Sequence, residues 1–246
     1  MKRPRKTTRD TTKQPLVKSS KMKTRASLGF VLDDIAPLTY TQGQVFEAFF
    51  ENHLLLHGLA GTGKTFVSLY LALREMFEHG NYKKIVIIRS AVPTRDLGFM
   101  PGSLDEKLSV YEAPYKEITN NLFGGRGDAY DILKQKNFME FMSTSFIRGL
   151  TINNSIIIVD EIQNMNFGEL DSIITRVGDN SKIIFCGDFR QTDLRTARDR
   201  QGLTDFMKIL DEMKAFEHIE FLETDIVRGS LVKNYIITKN HLDIHA

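Results

Sequence analysis

Residues 58–65 read Gly58-Leu59-Ala60-Gly61-Thr62-Gly63-Lys64-Thr65. This stretch fits the phosphate-loop pattern G-x-x-x-x-G-K-[ST], in which glycines let successive backbone N–H groups converge on a polyphosphate. In that pattern the lysine reaches the β- and γ-phosphates, and the final hydroxyl ligates Mg²⁺. An apolar strand at residues 54–56 precedes the stretch, and apolar residues at helical spacing follow it from 66 to 78. The sequence therefore predicts a nucleotide-binding α/β protein, and a glycine-rich turn that fits by chance is the weaker alternative.

Gln42 lies ahead of this loop, at the start of a predicted helix whose apolar face runs from Val45 to Phe50. Its side-chain amide can donate to N7 of adenine and accept from the N6 amino group at once, a pairing that guanine does not offer. An ordinary polar residue at a helix start is an equally good interpretation. The predicted contacts to the nucleotide, which we expect to be ATP, are Gln42, Gly58, Leu59, Ala60, Gly61, Thr62, Gly63, Lys64, Thr65 and Phe66.

Two acidic residues follow a second apolar strand. Residues 156–159 are all β-branched and apolar, and Asp160 and Glu161 come directly after them. This arrangement is typical of a Walker B element, in which the first carboxylate holds Mg²⁺ through water together with Thr65. We expect the second, Glu161, to polarise the attacking water, which favours hydrolysis over binding alone. Two solvated turn residues are the alternative.

Length and composition limit the class of protein. A chain of 246 residues with 41% apolar residues has room for one α/β domain with a real core. No apolar run approaches a bilayer span, and the basic N-terminus lacks the apolar segment of a secretory signal. We therefore expect no membrane contact and a cytoplasmic location. Cys186 is the single cysteine, which argues against a disulfide framework or a cysteine-based metal site.

The charge is distributed unevenly. Residues 1–25 contain ten Lys and Arg and one acid, which leaves 23 basic and 30 acidic residues in the rest of the chain. We expect residues 1–27 to form a disordered arm that contacts polyanions, nucleic acid first. A solubilising tail is the alternative interpretation.

We expect residues 28–246 to form a single domain. Residues 85–88, 182–186 and 219–222 are further predicted strands, Phe30 to Leu32 are a candidate first strand, and 116–145 read as a helical insertion. Basic residues near strand ends lie along the edge where open α/β sheets bind ligands, which makes Arg89, Arg95 and Arg148 candidates for nucleic-acid contact. Tyr111 and Tyr115 either stack on bases or pack in the core.

The set of motifs resembles the PhoH-like family over residues 39–232. The resemblance is carried by the phosphate loop and by Leu97-Gly98-Phe99, Pro101-Gly102, Asp105-Glu106-Lys107, Arg148-Gly149, Val159-Asp160-Glu161-Ile162-Gln163-Asn164, Gly187-Asp188, Gln191 with Asp193, and Asp225-Ile226-Val227-Arg228. It implies a three-layer α/β fold, RecA-like, with a mainly parallel central sheet, related to the nucleotide-binding half of superfamily 1 helicases. It also implies an ATPase that acts on RNA or single-stranded nucleic acid and assembles as a hexameric ring.

The resemblance also implies catalytic roles. It assigns catalytic roles to Lys64 and Glu161. It also implies that Gln191 senses the γ-phosphate and that Arg228 contacts it. Without the resemblance, the sequence around Gln191 fits a polar residue in a β–α turn as well as it fits a sensor. Two departures from the family pattern, Ser90 in place of proline and Leu150 in place of arginine, put engagement of a nucleic-acid strand in more doubt than ATP binding.

Two functions of different class follow. The first is a ring-forming ATPase that couples hydrolysis of Mg²⁺-bound ATP to the handling of RNA; the second is a nucleotide-gated module that switches a protein partner. A small-molecule kinase fits less well, because no lid with clustered arginines is evident. Since the chain has room for only one RecA-like domain, we expect a neighbouring subunit to supply the arginine for hydrolysis, a contribution of roughly 10³–10⁵ in rate elsewhere.

Overall fold

The computed structural model describes residues 29–90, 104–189, 197–242 and 244. Within these residues six strands form one sheet in the order β3-β2-β4-β5-β1-β6. Every neighbouring pair runs parallel. The strands are β1 (His53–Gly58), β2 (Lys84–Arg89), β3 (Met139–Ser143), β4 (Ser155–Asp160), β5 (Lys182–Gly187) and β6 (Phe216–Phe221).

Helices cover both faces of this sheet. The described helices are α1 (Tyr40–Ala48), α2 (Lys64–Arg74), α3 (Leu104–Leu122), α4 (Ala129–Gln135), α5 (Phe167–Ile174), α6 (Ala197–Met213) and α7 (Ser230–His241). Leu54 and Leu56 of β1 pack into a core with α1 to α4, whereas Leu55 points into a second core with α5 and α6. The alternation of side chains along a strand thus divides the apolar residues between two helical layers. The expected three-layer α/β fold is confirmed.

The strands end where the chemistry was predicted. β1 leads into the phosphate loop, and β4 ends at Asp160, with β5 between these two strands. Because all strands are parallel, their carboxyl ends meet at one edge of the sheet. The predicted helix after the loop begins at Lys64 and continues beyond Arg74 as a π-helix at Glu75–His79.

Two sequence predictions were wrong. Residues 116–145 contain the end of α3 and all of α4, as expected of a helical insertion, but they also contain β3, which pairs with β2. Since β3 lies at the sheet edge and is only partly buried, it lacks the β-branched run that marks the central strands. Phe30 to Leu32 form no strand: Phe30 packs edge-on against Phe123, at 4.8 Å between ring centroids, and the Asp33 N–H donates to the Leu122 carbonyl.

Other predictions fall partly outside the described residues. The proposed basic arm at 1–27, Arg95, Gln191 and most of the Gly/Pro loop after β2 lie outside them. The division into an arm and a single domain at 28–246 stays a prediction. No helix in the described part of the chain is long and apolar enough to cross a membrane. Cys186 is buried, as expected of a strand position.

Candidate nucleotide site

The phosphate loop depends on glycine at three positions. Gly58, Gly61 and Gly63 all have positive φ, at 122°, 76° and 87°. A Cβ at Gly58 would lie 2.1 Å from the carbonyl oxygen of Phe221, and one at Gly61 would lie 2.9 Å from Cγ of Arg228. Since other residues are strained at positive φ and would clash here, the loop can approach β6 and its neighbours only with glycine.

Lys64 lies inside the loop. Its Nζ donates to the carbonyl oxygens of Gly58 and Leu59, each at 2.8 Å, and approaches Thr62 Oγ1 at 3.3 Å. Burial lowers the pKa of Lys64, while the carboxylate of Asp188 acts in the opposite direction. The ammonium is thus held within the phosphate loop by the loop's own carbonyl oxygens, and its contact with the β- and γ-phosphates stays a prediction.

Thr65 and Asp160 meet as predicted. The Thr65 hydroxyl lies 3.1 Å from each carboxylate oxygen of Asp160. Burial, reinforced by Glu161, raises the pKa of Asp160 to about 6, and hydrogen bonds from Tyr115 and Thr65 act against this rise. A hydroxyl and a carboxylate are the hard oxygen donors that Mg²⁺ prefers when phosphates and water complete its shell. Thr65 and Asp160 would therefore fit a metal whose remaining ligands are phosphate oxygens and water. In the described residues no group of three or more His, Cys, Asp or Glu is arranged to hold a metal ion.

Glu161 is held in an unusual backbone conformation. Its φ is +56°, in the left-handed region that a residue with a side chain rarely adopts. The Gln163 side chain donates through Nε2 to the Glu161 carboxylate and accepts through Oε1 from the Asp188 N–H at 3.0 Å. The Asp188 carboxylate in turn accepts from the Ala60 N–H of the phosphate loop at 3.1 Å. A chain of hydrogen bonds therefore joins the predicted base to the loop.

Gln42 touches the phosphate loop directly. It is 3% exposed, which is unlike an ordinary polar residue at a helix start. Its Nε2 donates to the Thr62 carbonyl at 3.0 Å, and its Oε1 accepts from the Leu38 N–H at 2.8 Å. Since a carboxamide has two donor hydrogens and two acceptor lone pairs, one of each remains for a base. A role in reading adenine stays a prediction, and a role in holding the loop is added to it.

The arginine candidates lie in different surroundings. Arg228 is exposed, but its Cγ lies over Gly61 of the same chain, where the Val227 N–H also donates to the Gly61 carbonyl at 3.0 Å. This contact favours action within one chain over the neighbouring subunit that the sequence suggested, and the source of the arginine stays a prediction. Arg148 is exposed and precedes β4, so it remains a candidate for nucleic-acid contact.

Arg89 borders the metal site. It is half-buried, its guanidinium lies 5.7 Å from the centroid of the Tyr111 ring, and β2 aligns it with Asp160 of β4. Burial acts to lower the pKa of Arg89, but Tyr115, Glu161 and Asp160 outweigh it, so the net shift is upward. A nucleic-acid contact by Arg89 stays a prediction, and its position lies beside Asp160, a predicted metal ligand.

Sequence reasoning left three site residues without a role. Tyr115 is 1% exposed and donates to Asp160, so of the two interpretations packing is the correct one in this structure. Gln163 and Asp188 stood in the motifs that carried the family resemblance, but nothing in their spacing showed which groups they contact. Gln163 bonds to Glu161, two residues earlier, and to the Asp188 N–H, which follows β5. Asp188 bonds to Ala60 of the phosphate loop, which is distant in sequence.

Comparisons with known proteins identify the family. A family profile described as PhoH-like protein matches residues 34–239. The chain is 33% identical over 180 residues to a PhoH-like protein of Bacillus subtilis, covering 73% of this chain and 55% of that protein. It is 38% identical over 141 residues to Protein PhoH2 of the same organism, covering 56% of this chain and 32% of that protein. The chain thus spans about half the length of its relatives or less.

One solved structure shows the fold. The large terminase from a thermophilic bacteriophage superimposes with a TM-score of 0.50 at 14% identity, covering 81% of this chain and 50% of the terminase. At this identity the likeness concerns the fold alone. The likeness agrees with the RecA-like fold that the resemblance implied, with a six-stranded parallel sheet between helices.

Proposed function

Because the chain belongs to the PhoH-like family, we propose that it hydrolyses ATP with Mg²⁺. Hydrolysis is coupled to the binding or remodelling of single-stranded nucleic acid, RNA first, and the chain works as an oligomeric ring in the cytoplasm. The observation that carries the proposal is the contact between Thr65 and Asp160, each carboxylate oxygen lying 3.1 Å from the hydroxyl. Residues from two strand ends therefore converge beside the phosphate loop, as a Mg²⁺-bound triphosphate requires.

The residues of the chain divide the catalytic work. N–H groups of the loop and Lys64 would bind the phosphates. Thr65 and Asp160 would hold Mg²⁺, which would supply positive charge beside the phosphate oxygens. Glu161, oriented by Gln163, accepts the proton of the attacking water. Arg228, next to Gly61, is placed to stabilise negative charge that develops on the γ-phosphate.

Helix α7 supports an assembly of several copies. None of its residues is buried, and Leu231, Val232 and Tyr235 expose 82%, 47% and 67% of their surface. Ile236 of the same helix would contact a Cβ at Gly61 at 3.4 Å, so α7 lies beside the phosphate loop. A second copy packed on α7 would therefore sit close to the nucleotide, which is the arrangement that a ring ATPase needs.

The test measures native mass and ATP hydrolysis in one preparation, with and without single-stranded RNA. We expect a mass of several chains and a rate that RNA stimulates, with stimulation weakening steeply as salt rises because phosphate contacts dominate such binding. K64A is the control for contaminating ATPases. Hydrolysis that is indifferent to RNA of every length and at every salt concentration would instead support a nucleotide-gated module that switches a protein partner.

A further inference from the structure

A buried tyrosine hydroxyl bonds to the carboxylate that is proposed to hold Mg²⁺. Tyr115 lies on α3 and donates through its hydroxyl to Oδ2 of Asp160 at 2.9 Å. Tyr115 is 1% exposed and Asp160 is 7% exposed, so this bond is shielded from solvent. A phenol that is neutral and buried acts here as a donor and not as a metal ligand.

The two hydroxyls on Asp160 have different tasks. Thr65 contacts both carboxylate oxygens and belongs to the phosphate-loop motif, whose hydroxyl turns to the metal when nucleotide binds. Tyr115 contacts Oδ2 alone and has no such motif role. Its hydrogen bond therefore fixes Oδ2 of the carboxylate and would leave Oδ1 available to a metal.

The Tyr115 ring is held by parts of the fold that sequence reasoning did not foresee. It packs against Phe141 of β3, at 5.7 Å between centroids and 34° between ring planes. The Arg89 guanidinium lies 5.7 Å from the centroid of the Tyr111 ring, one helical turn earlier on α3. The edge strand and α3 thus form the support that fixes the position of the hydroxyl.

We propose that Tyr115 is a positioning residue for the metal-binding carboxylate, so that α3 and β3 determine how well Asp160 binds Mg²⁺. This inference rests on the proposed Mg²⁺ and ATP chemistry and adds a residue to it. Hydrogen bonds that orient metal-ligating carboxylates typically contribute about 10–100-fold to metal affinity or activity. The alternative is that Tyr115 is only a core residue whose hydroxyl needs a partner, as buried tyrosine hydroxyls do.

The test is calorimetric titration of ADP into the unmodified chain and Y115F, with EDTA and at several Mg²⁺ concentrations. We expect Y115F to keep the affinity for ADP in EDTA within about twofold and to lose at least about tenfold of the Mg²⁺ enhancement. The matched control is Y130F: Tyr130 is also 1% exposed and donates to a carboxylate, that of Glu112, at 2.6 Å. Y130F should bind ADP like the unmodified chain under both conditions.

A double variant separates positioning from packing. If Tyr115 acts through Asp160, adding Y115F to D160N should change the affinity for ADP by less than about twofold, because the carboxylate is already absent. The ring is retained in Y115F, and thermal unfolding checks that the variant is folded. An undiminished Mg²⁺ enhancement in Y115F would overturn the inference and leave the proposed function standing. Absence of any Mg²⁺ enhancement in the unmodified chain would overturn both.

Discussion

Replacing Gln42 by alanine removes an amide that joins α1 to the phosphate loop. Gln42 is 3% exposed and makes two hydrogen bonds, to the Thr62 carbonyl at 3.0 Å and from the Leu38 N–H at 2.8 Å. If Gln42 holds the loop, Q42A should weaken every ligand that uses the loop. If it only reads adenine, the variant should weaken adenine nucleotides alone.

The two lost bonds differ in cost. Thr62 is fully buried, so its carbonyl is left without a partner, at about 1–3 kcal/mol. Leu38 is 76% exposed, so water can replace the amide at its N–H for about 1 kcal/mol or less. The sum is about 1–4 kcal/mol in free energy of unfolding. At roughly 2–4 °C per kcal/mol for a domain of this size, the unfolding midpoint should fall by about 2–16 °C.

The assay combines thermal unfolding with calorimetric titration of ADP, GDP and inorganic tripolyphosphate. We expect Q42A to lower the unfolding midpoint and to weaken all three ligands, tripolyphosphate by about fivefold, which corresponds to one hydrogen bond of about 1 kcal/mol in the loop. Gln44, exposed on the same helix, supplies the control variant Q44A, which should change neither quantity. An unchanged midpoint with unchanged binding of tripolyphosphate would refute the loop-holding role.

Three further predictions concern the site and one buried lysine. K64A should lose nucleotide binding. E161Q should keep nucleotide binding and lose about 10²-fold or more in ATP turnover. Turnover at the parental rate in E161Q would show that Glu161 is not the base that accepts the proton of the attacking water. Mixtures of R228A and K64A should show no more than the sum of their separate rates, because Arg228 contacts its own Gly61, and recovery would assign the arginine to a neighbour. Burial lowers the pKa of Lys182 to about 8. Between about pH 8 and pH 10.4 the unfolded chain holds more protons than the folded one, so the free energy of unfolding should rise with pH. The slope should stay well under about 1.4 kcal/mol per pH unit, because the desolvation of Lys182 is partial. Chemical denaturation of K182M should show a flatter rise.

The sequence was sufficient for the parts of the site that depend on local spacing. The phosphate loop follows a strand and opens a helix within one short stretch, so Lys64 and Thr65 could be placed before any fold was known. Asp160 could be placed because a central parallel strand is marked by its β-branched run and ends at the ligand-binding edge. The contact of Thr65 with Asp160 follows from these two facts.

The supports of the site could not be predicted in this way. Tyr115 reaches Asp160 only because β3 pairs with β2 and Phe141 packs against the tyrosine ring, and β3 carries no clear strand signal. Gln163 orients Glu161 through a side-chain bond that depends on one rotamer and on the left-handed backbone at Glu161. The first contact joins residues that are distant in sequence, and the second depends on local backbone geometry, so no periodicity in the sequence records either one.

Ser90 shows how a departure from the family pattern acts through structure. Its hydroxyl lies 3.3 Å from Oε1 of Glu169, which also accepts from Thr144 at 2.6 Å. Oε2 of Glu169 accepts from the Asn166 N–H at 3.0 Å, in the capping box of α5. Proline has no hydroxyl, so the serine adds a link between the end of β2 and the start of α5 that the usual residue cannot make. Any effect of Ser90 on the proposed engagement of nucleic acid would therefore act through the anchoring of the end of β2 to the start of α5.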